Sequence, residues 1–384
     1  VLALVMFAGG GVARRYHLYL IPAALGVLGK ETGAMFAPLL CLYVDFIERD
    51  LSLRESLRPR ELLATLRVTW PSFLVCVAIV GTGMRMATTY TPGGVSRWHY
   101  LLTQPFVIVH YLLSLFLPLQ LSADTQWPLV VDPLDDHLLI GIAVITGLIA
   151  LAWVTSRRRE ARPVAFGVLW FFVALLPTSS VVPLAEPMND HRMFFPFVGL
   201  ILAAVWGAGL ALNHPKMVAT RWTRPIAAGA GVVILLAMAY GTRQRNIVWH
   251  SEESLWLDAT IKSPDNGRGL MNYGVIQLNK GNYASADDYF ERALRYTPNY
   301  AYLHVNIGIL KGLLGQAPEA ERHFREAQRF DPNNPVSYTH FARWLATRGR
   351  TEEARLFANR AVELSPADAD ARNLLNSLLS VSER

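Results

Sequence analysis

The sequence predicts an all-α protein in two parts, a polytopic transmembrane helical bundle over 1–242 followed by an α-solenoid over 243–384. Two observations predict it. Apolar runs of membrane-spanning length crowd the first part, and Pro264, Pro298, Pro332 and Pro366 stand 34 residues apart in the second. The composition therefore averages two solvents: of 384 residues, 52% are hydrophobic and 17% charged. A disordered chain is excluded, because such chains are poor in apolar residues. The two cysteines, Cys41 and Cys76, lie inside apolar runs. That excludes a disulfide framework and a Cys-x-x-Cys metal site.

Residues 1–8 read as the end of a span, and the opening at Val1 in mid-run sets the expectation of a fragment whose upstream part is missing. Residues 17–46 are apolar around Gly29-Lys30-Glu31, which predicts two short helices meeting at that break. Residues 47–67 carry Arg49, Arg54, Arg58, Arg60 and Arg67 and read as a loop. Spans follow at 68–84, 138–154, 164–177, 194–212 and 226–242. The positive-inside rule places the basic loops 47–67, 155–162 and 213–225 in the cytoplasm. The loops 122–137 and 178–193, and everything after 243, then lie outside. Most of the net charge of +6 is this orientation label and not a nucleic-acid footprint. Parity forbids a simple crossing for 101–121. Its Gln104, Pro105, His110 and Pro118 predict a broken segment, re-entrant or interfacial.

In the second part, small residues share the 34-residue register: Gly274, Gly308 and Ala342; Ala286, Ala320 and Ala354; Ala293, Ala327 and Ala361. Phe290 and Phe324 share another position. This is the tetratricopeptide pattern. Small residues let the two helices of a hairpin approach, an aromatic ring fills between them, and Pro ends the second helix. The predicted repeats are 267–300, 301–334 and 335–368, with a degenerate half-repeat around Ala259 and Pro264 and a capping helix at 369–380. The second part is thus a tetratricopeptide-repeat α-solenoid.

Charged groups within apolar stretches are the first functional candidates. Lys30-Glu31 is one, with an ion pair that fixes the helix break as the structural alternative. The loop Thr178-Ser179-Ser180-Val181-Val182-Pro183 leads into Glu186, Asp190, His191 and Arg192 at the outer membrane face. Arg192 suits a phosphate, since its fork of donors matches phosphate oxygens, and His191 adds a second donor. The alternative there is an interfacial anchor with a loop salt bridge. Gln104 and His110 line the same region, although a lone His on an apolar face is more often a satisfied core residue. Asp132, Asp135, Asp136 and His137 hint at a metal, but such a run is more often a solvated loop. Asn272 and Asn306 share a register that His340 takes in the third repeat. On the first helices of a solenoid they would hold an extended acceptor peptide in both hydrogen-bonding directions. Nucleotide-loop, nucleophile-elbow and zinc-protease motifs are absent from the sequence.

Several short motifs occur in order: Leu28-Gly29-Lys30-Glu31 with Pro38 and Asp45; Leu102-Thr103-Gln104 with Tyr111-Leu112 and Pro118; Trp170-Phe171-Phe172 with Leu176-Pro177-Thr178-Ser179-Ser180; and His191-Arg192-Met193-Phe194 with Pro196 and Gly199. Together with the repeat tail they resemble the transmembrane and tetratricopeptide-repeat O-mannosyltransferases and their bacterial relatives, within the C-type superfamily of membrane glycosyltransferases. The resemblance implies transfer of a sugar from a polyprenyl-phosphate carrier to protein Ser or Thr hydroxyls on the extracytoplasmic face. It implies His191 and Arg192 at the donor phosphate, the family's Lys-Glu pair at Lys30 and Glu31, and a catalytic acidic residue upstream of Val1. Beside these, the residue reading sets Gln104, His110, Glu186 and Asp190 around the cavity and an acceptor-protein groove at Asn272, Asn306 and His340. No resident cofactor or metal ligand set is assigned, while a divalent metal is compatible with the chemistry. The expected setting is a bacterial inner membrane with periplasmic repeats. Two other readings stay open: a non-catalytic membrane scaffold whose repeats assemble envelope machinery, and a lipid-linked glycan transporter or ligase.

Overall fold

The computed structural model describes residues 1–86, 96–119, 121–180, 184, 186–215 and 222–382. Val181, Val182 and Pro183 of the outer loop, and Lys216 and Arg221 of the last basic loop, lie outside the described residues. The architecture is all-α, with no strand among the described residues. The chain divides into two units, one of 1–121 and 127–241, the other of 122–126 and 242–384.

The first unit opens with α1 (Leu2–Ala8), α2 (Gly11–Arg15) and α3 (Leu20–Gly29). At Lys30 the backbone turns extended, one 3-10 segment follows at Glu31–Met35, and α4 (Phe36–Tyr43) resumes. The two short helices thus meet at the break that Gly29-Lys30-Glu31 marks. A short α5 (Leu53–Ser56), closed by a Ser52/Glu55 capping box, leads into α6 (Pro59–Met86). Then come α7 (Arg97–Phe116), α8 (Asp136–Ser156), α9 (Arg162–Leu175), α10 (Phe194–Leu212) and α11 (Thr223–Val248), the last running on into the second unit.

Among the described residues, five helical segments are long and apolar enough to cross a membrane: Pro59–Arg85, Arg97–Phe116, Asp136–Ser156, Asp190–Leu212 and Thr223–Val248. The span expected at 164–177 is helix α9, shorter than these five and buried inside the unit. Helix α9 has 14 residues, ten of them buried. At 1.5 Å per residue it is about 21 Å long, short of the roughly 30 Å hydrocarbon layer. It is the central post of the unit, with Ala165 and Phe171 fully buried. Its backbone meets that of α10 directly at Gly167 and Gly199. A Cβ on Gly199 would lie 2.4 Å from the Gly167 carbonyl oxygen, so only glycine fits that crossing.

The broken segment expected over 101–121 is corrected, because α7 is a continuous helix that accommodates Pro105. Length and composition would let it cross a membrane, and its contacts fix its place in the unit. Tyr100 bonds Thr178 beyond the C-terminus of α9, Phe106 packs on His137 at the N-terminus of α8, and Val107, Ile108 and Tyr111 cluster with Leu175, Met193 and Leu200. The helix therefore packs across the end of α8, α9 and α10 that carries Thr178 and Asn189.

The opposite end of the unit collects the arginines. Arg49 donates to Asp45, Thr65 and Glu61. Arg162 donates to the Ser156 carbonyl at 3.1 Å and to Asp50 at 2.8 Å, and Arg159 pairs with Asp50. Trp206 of α10 donates to the Glu160 carbonyl. The segments 45–65 and 156–162 thus share one end, and residues 178–180 and 186–193 occupy the other.

The second unit begins after α11 with α12 (Glu252–Lys262). Three hairpins follow: α13 (Gly267–Asn279) with α14 (Tyr283–Tyr296), α15 (Ala301–Leu313) with α16 (Ala317–Phe330), and α17 (Pro335–Thr347) with α18 (Thr351–Leu364). Helix α19 (Ala369–Ser382) closes it. The alanine ladders Ala286, Ala320 and Ala354, and Ala293, Ala327 and Ala361, have no exposed surface. Phe290 and Phe324 are equally buried and press on Gly274 and Gly308, where a Cβ would meet the rings at 2.6 and 3.0 Å. The first helices α13, α15 and α17 also touch one another in sequence, which puts them on the inner curve of the solenoid.

Candidate functional site

The site is organised by the polar face of α7. Tyr100, Gln104 and Tyr111 fall on one side of the helix by their spacing. The Tyr100 hydroxyl donates to the Thr178 carbonyl. Gln104 Nε2 donates to the Pro187 carbonyl at 3.1 Å. The Tyr111 hydroxyl donates to the Asn189 carbonyl at 3.3 Å and accepts the Asn189 backbone N–H at 3.0 Å. His110 Nε2 lies 3.4 Å from Asp190 Oδ1. The loop after α9 is thus held along the helix by four side chains about one or two turns apart. A loop carries many backbone groups that need partners, and α7 supplies them at the end of the bundle.

Within that loop Arg192 points inward. Its guanidinium donates to the Glu186 carbonyl and to Glu186 Oε2, both at 2.9 Å, and its side chain keeps only 9% of its surface exposed. Asn189 Nδ2 donates to the same carboxylate at 3.3 Å. Asn189 also starts the next segment, because its Oδ1 accepts the His191 N–H at 3.3 Å. The sequence expects Arg192 on a ligand phosphate. The structure instead engages its fork with Glu186, because a guanidinium this buried needs an anionic partner inside the protein.

His191 turns outward and is exposed. Lys30 is exposed at the break between α3 and α4 and forms no salt bridge among the described residues, nor does Glu31. The ion pair that is the structural alternative for Lys30-Glu31 is therefore absent among the described residues. Lys30 instead borders a cavity of about 400 Å³ whose other walls include Val1, Leu2, Leu4, Pro22, Trp170 and Phe195. Among the described residues it is the one charged side chain in that lining.

Asp135 is the N-cap of α8, accepting the His137 N–H at 2.8 Å, so the 132–137 run leads into the start of a helix. In the second unit Asn272, Asn306 and His340 are half-buried on α13, α15 and α17. Burial and the nearby Arg343 lower the His340 pKa, and Asp370 partly offsets them. Sequence reasoning missed Asn189 and the hydroxyl of Tyr111 as organisers, since they lie 78 residues apart and no motif joins them. Within the second unit, Asp124 grips Arg268 through two bonds of 2.7 Å.

A tetratricopeptide-repeat family model matches residues 267–300. Among curated proteins, the chain is 23% identical over 171 residues to Protein O-mannosyl-transferase Tmtc3 of Drosophila melanogaster, covering 44% of this chain and 18% of that protein. It is 27% identical over 158 residues to Tmtc2 of the same fly, covering 41% and 16%. It is 27% identical over 224 residues to Protein O-mannosyl-transferase TMTC1 of Mus musculus, covering 55% and 23%. The chain thus spans less than a quarter of each of these relatives. Among solved structures it resembles YrrB, described as a tetratricopeptide protein with an unusual peptide-binding site, at 21% identity over 43% of this chain and 85% of that one, with a TM-score of 0.29. It also resembles TTC0263, a tetratricopeptide protein of Thermus thermophilus, at 20% identity over 61% and 98%, with a TM-score of 0.27. The chain is similar to the repeat-bearing O-mannosyltransferase family that the curated names share.

Proposed function

We propose that this chain is part of a membrane glycosyltransferase that moves a sugar from a polyprenyl-phosphate carrier to protein Ser or Thr hydroxyls on the extracytoplasmic face. The observation that carries the reading is the apolar cavity with a single cationic side chain at its edge. Such a shape suits a ligand with a hydrocarbon tail and an anionic head. Lys30 and His191 supply exposed positive and hydrogen-bonding groups for the phosphate. Arg192 acts first as a positioning residue: through Glu186 it fixes the loop that presents His191. Neutralising the phosphate makes it a better leaving group, and a carboxylate deprotonates the acceptor hydroxyl. The inner curve of the repeats, with Asn272, Asn306 and His340, recruits the acceptor as an extended peptide.

The orientation belongs to the same proposal. The arginine-rich end of the first unit faces the cytoplasm by the positive-inside rule, and the α7 end with loop 178–193 faces outward. An interfacial course for α7 belongs to it as well, because that removes one crossing and lets the parity of the remaining helices close.

The test is transfer from a polyprenyl-phosphate sugar to an acceptor peptide in reconstituted vesicles. Lys30→Ala and His191→Ala are expected to raise the donor KM about tenfold or more, the usual cost of one charge-assisted bond to a phosphate. Unchanged donor kinetics in both variants would remove the phosphate from this place. A cysteine introduced at Lys280 should react with a membrane-impermeant reagent in intact cells, and protection there would reverse the orientation.

One observation favours a scaffold instead: Arg192, the strongest phosphate ligand in the loop, is already engaged by Glu186. In that case Asn272→Ala and Asn306→Ala disturb assembly of the partner complex while Lys30→Ala and His191→Ala change nothing.

A further inference from the structure

We propose that the second repeat holds one divalent cation of the zinc class on His304, His323 and Glu326. His304 stands on α15, and His323 and Glu326 stand one turn apart on α16, so the three converge from both helices of one hairpin. His304 and His323 are 4% and 5% exposed. His304 Nδ1 lies 3.0 Å from His323 Nδ1 and 3.0 Å from Glu326 Oε2, and His323 Nδ1 lies 3.5 Å from the same oxygen. Ligands about 2.0–2.1 Å from a tetrahedral zinc stand about 3.3 Å from each other. All three edges of the triangle fall within a few tenths of an ångström of that spacing.

Hydrogen counting points the same way. His304 Nε2 is 2.7 Å from the Pro298 carbonyl oxygen, an acceptor, so this nitrogen carries the proton. In the neutral ring Nδ1 is then a lone pair, and it faces the Glu326 carboxylate at 3.0 Å. Two acceptors at that distance repel unless a positive centre lies between them. His323 Nε2 accepts from Arg322 Nη2 at 3.1 Å, which puts the one ring hydrogen of His323 on Nδ1. That hydrogen serves the two edges it belongs to and leaves the His304–Glu326 edge with none. A cation at the centre satisfies all three edges together.

The bond from His304 Nε2–H to Pro298 is also the outer support that ligating histidines ordinarily have, fixing the tautomer and the ring plane. Phe330 packs on the His304 ring, with centroids 5.1 Å apart. Coordination moves the His323 proton to Nε2, so Arg322 must swing away. Its side chain is 57% exposed and already has Glu326 Oε1 at 3.4 Å as a second partner. Two imidazole nitrogens and one carboxylate select zinc, cobalt, nickel or copper(II) over magnesium and calcium, which prefer all-oxygen sets. The Glu326 side chain keeps 26% of its surface exposed, which leaves the fourth position on the solvent side. No step of the proposed sugar transfer depends on this cation.

The experiment uses the tag-free full chain in detergent micelles, stripped with a chelator and titrated with Co²⁺ as the optical probe. One Co²⁺ per chain should give the intense visible bands of a low-coordinate site, and Zn²⁺ should displace it. Glu326→Gln, at a partly exposed position, should weaken Co²⁺ at least tenfold with unchanged far-UV circular dichroism. His304→Gln and His323→Gln should abolish the bands. Absence of the bands in a large excess of Co²⁺ overturns the site and makes the cluster a buried imidazolium–carboxylate pair. Bands that survive intact in a well-folded His304→Gln His323→Gln double variant overturn it as well.

Discussion

Arg192→Ala should release the outer loop, and the amount follows from what its guanidinium holds. It makes two charge-assisted bonds, to the carbonyl and the carboxylate of Glu186, both at 2.9 Å and both little exposed. Hydrogen bonds to charged groups contribute roughly 1.5–3 kcal/mol each. Asn189 Nδ2 remains on the carboxylate as a partial replacement, so the loss is about 2–3 kcal/mol in loop closure. At 1.4 kcal/mol per tenfold, the open population rises about 30- to 140-fold. Met188 reports it, because it is 2% exposed inside this loop and becomes accessible only on opening. In a Met188→Cys background with Cys41 and Cys76 replaced, the labelling rate by a water-soluble maleimide should rise by that factor in Arg192→Ala. Glu186→Gln should raise it somewhat less, since the carbonyl bond survives. The double variant should add almost nothing to Arg192→Ala, as expected for two groups acting as one unit. Arg192→Lys keeps the charge but not the fork and should fall in between. A labelling rate within threefold of the parent in Arg192→Ala would refute the positioning role. A donor KM that rises in Arg192→Ala with no change in labelling would return Arg192 to the phosphate.

Phe324→Ala should destabilise the repeat unit by about 3–5 kcal/mol, because the ring has no exposed surface and stacks on Phe341 at 5.4 Å. Thermal melting followed by circular dichroism should show the repeats unfolding well below the parent. Gly199→Ala should cost about 1–3 kcal/mol through the backbone clash with Gly167, read as a lower thermal aggregation midpoint, whereas Gly209→Ala on the same helix has open space and should be neutral. His340 has a lowered folded pKa, with Arg343 and Asp370 as its charged neighbours, so the unfolded chain binds the proton more readily. Its contribution is present above the unfolded value of about 6.5 and is lost as pH falls below it. Urea unfolding at pH 7.5 and 5 should show a steeper loss in the parent than in His340→Gln.

The repeats were legible in the sequence because their determinants are local and periodic. A small residue must stand wherever two helices cross, and that need returns every 34 residues, as Ala286, Ala320 and Ala354 do. The helix break at Lys30 was legible for a similar reason, since Gly next to two charges cannot continue an apolar helix cheaply. Helix α7 was less so. Pro105 and the polar residues suggested a broken path, yet Pro105 packs on Gly141 of α8, and an unbroken helix presents Gln104 and His110 in line to Pro187 and Asp190.

By itself, then, the sequence determined the all-α class, the solenoid register and the segregation of arginines to particular loops. These depend on spacing along the chain and on which solvent each segment meets. The tertiary structure alone decided that α9 is a buried post, that α7 lies across the ends of its neighbours, that Arg192 belongs to Glu186, and that His304, His323 and Glu326 meet. Each of those outcomes depends on which side chains face one another across helices. Burial makes an unpaired charge or acceptor costly, so the choice of partner is fixed by packing geometry and leaves no period in the sequence.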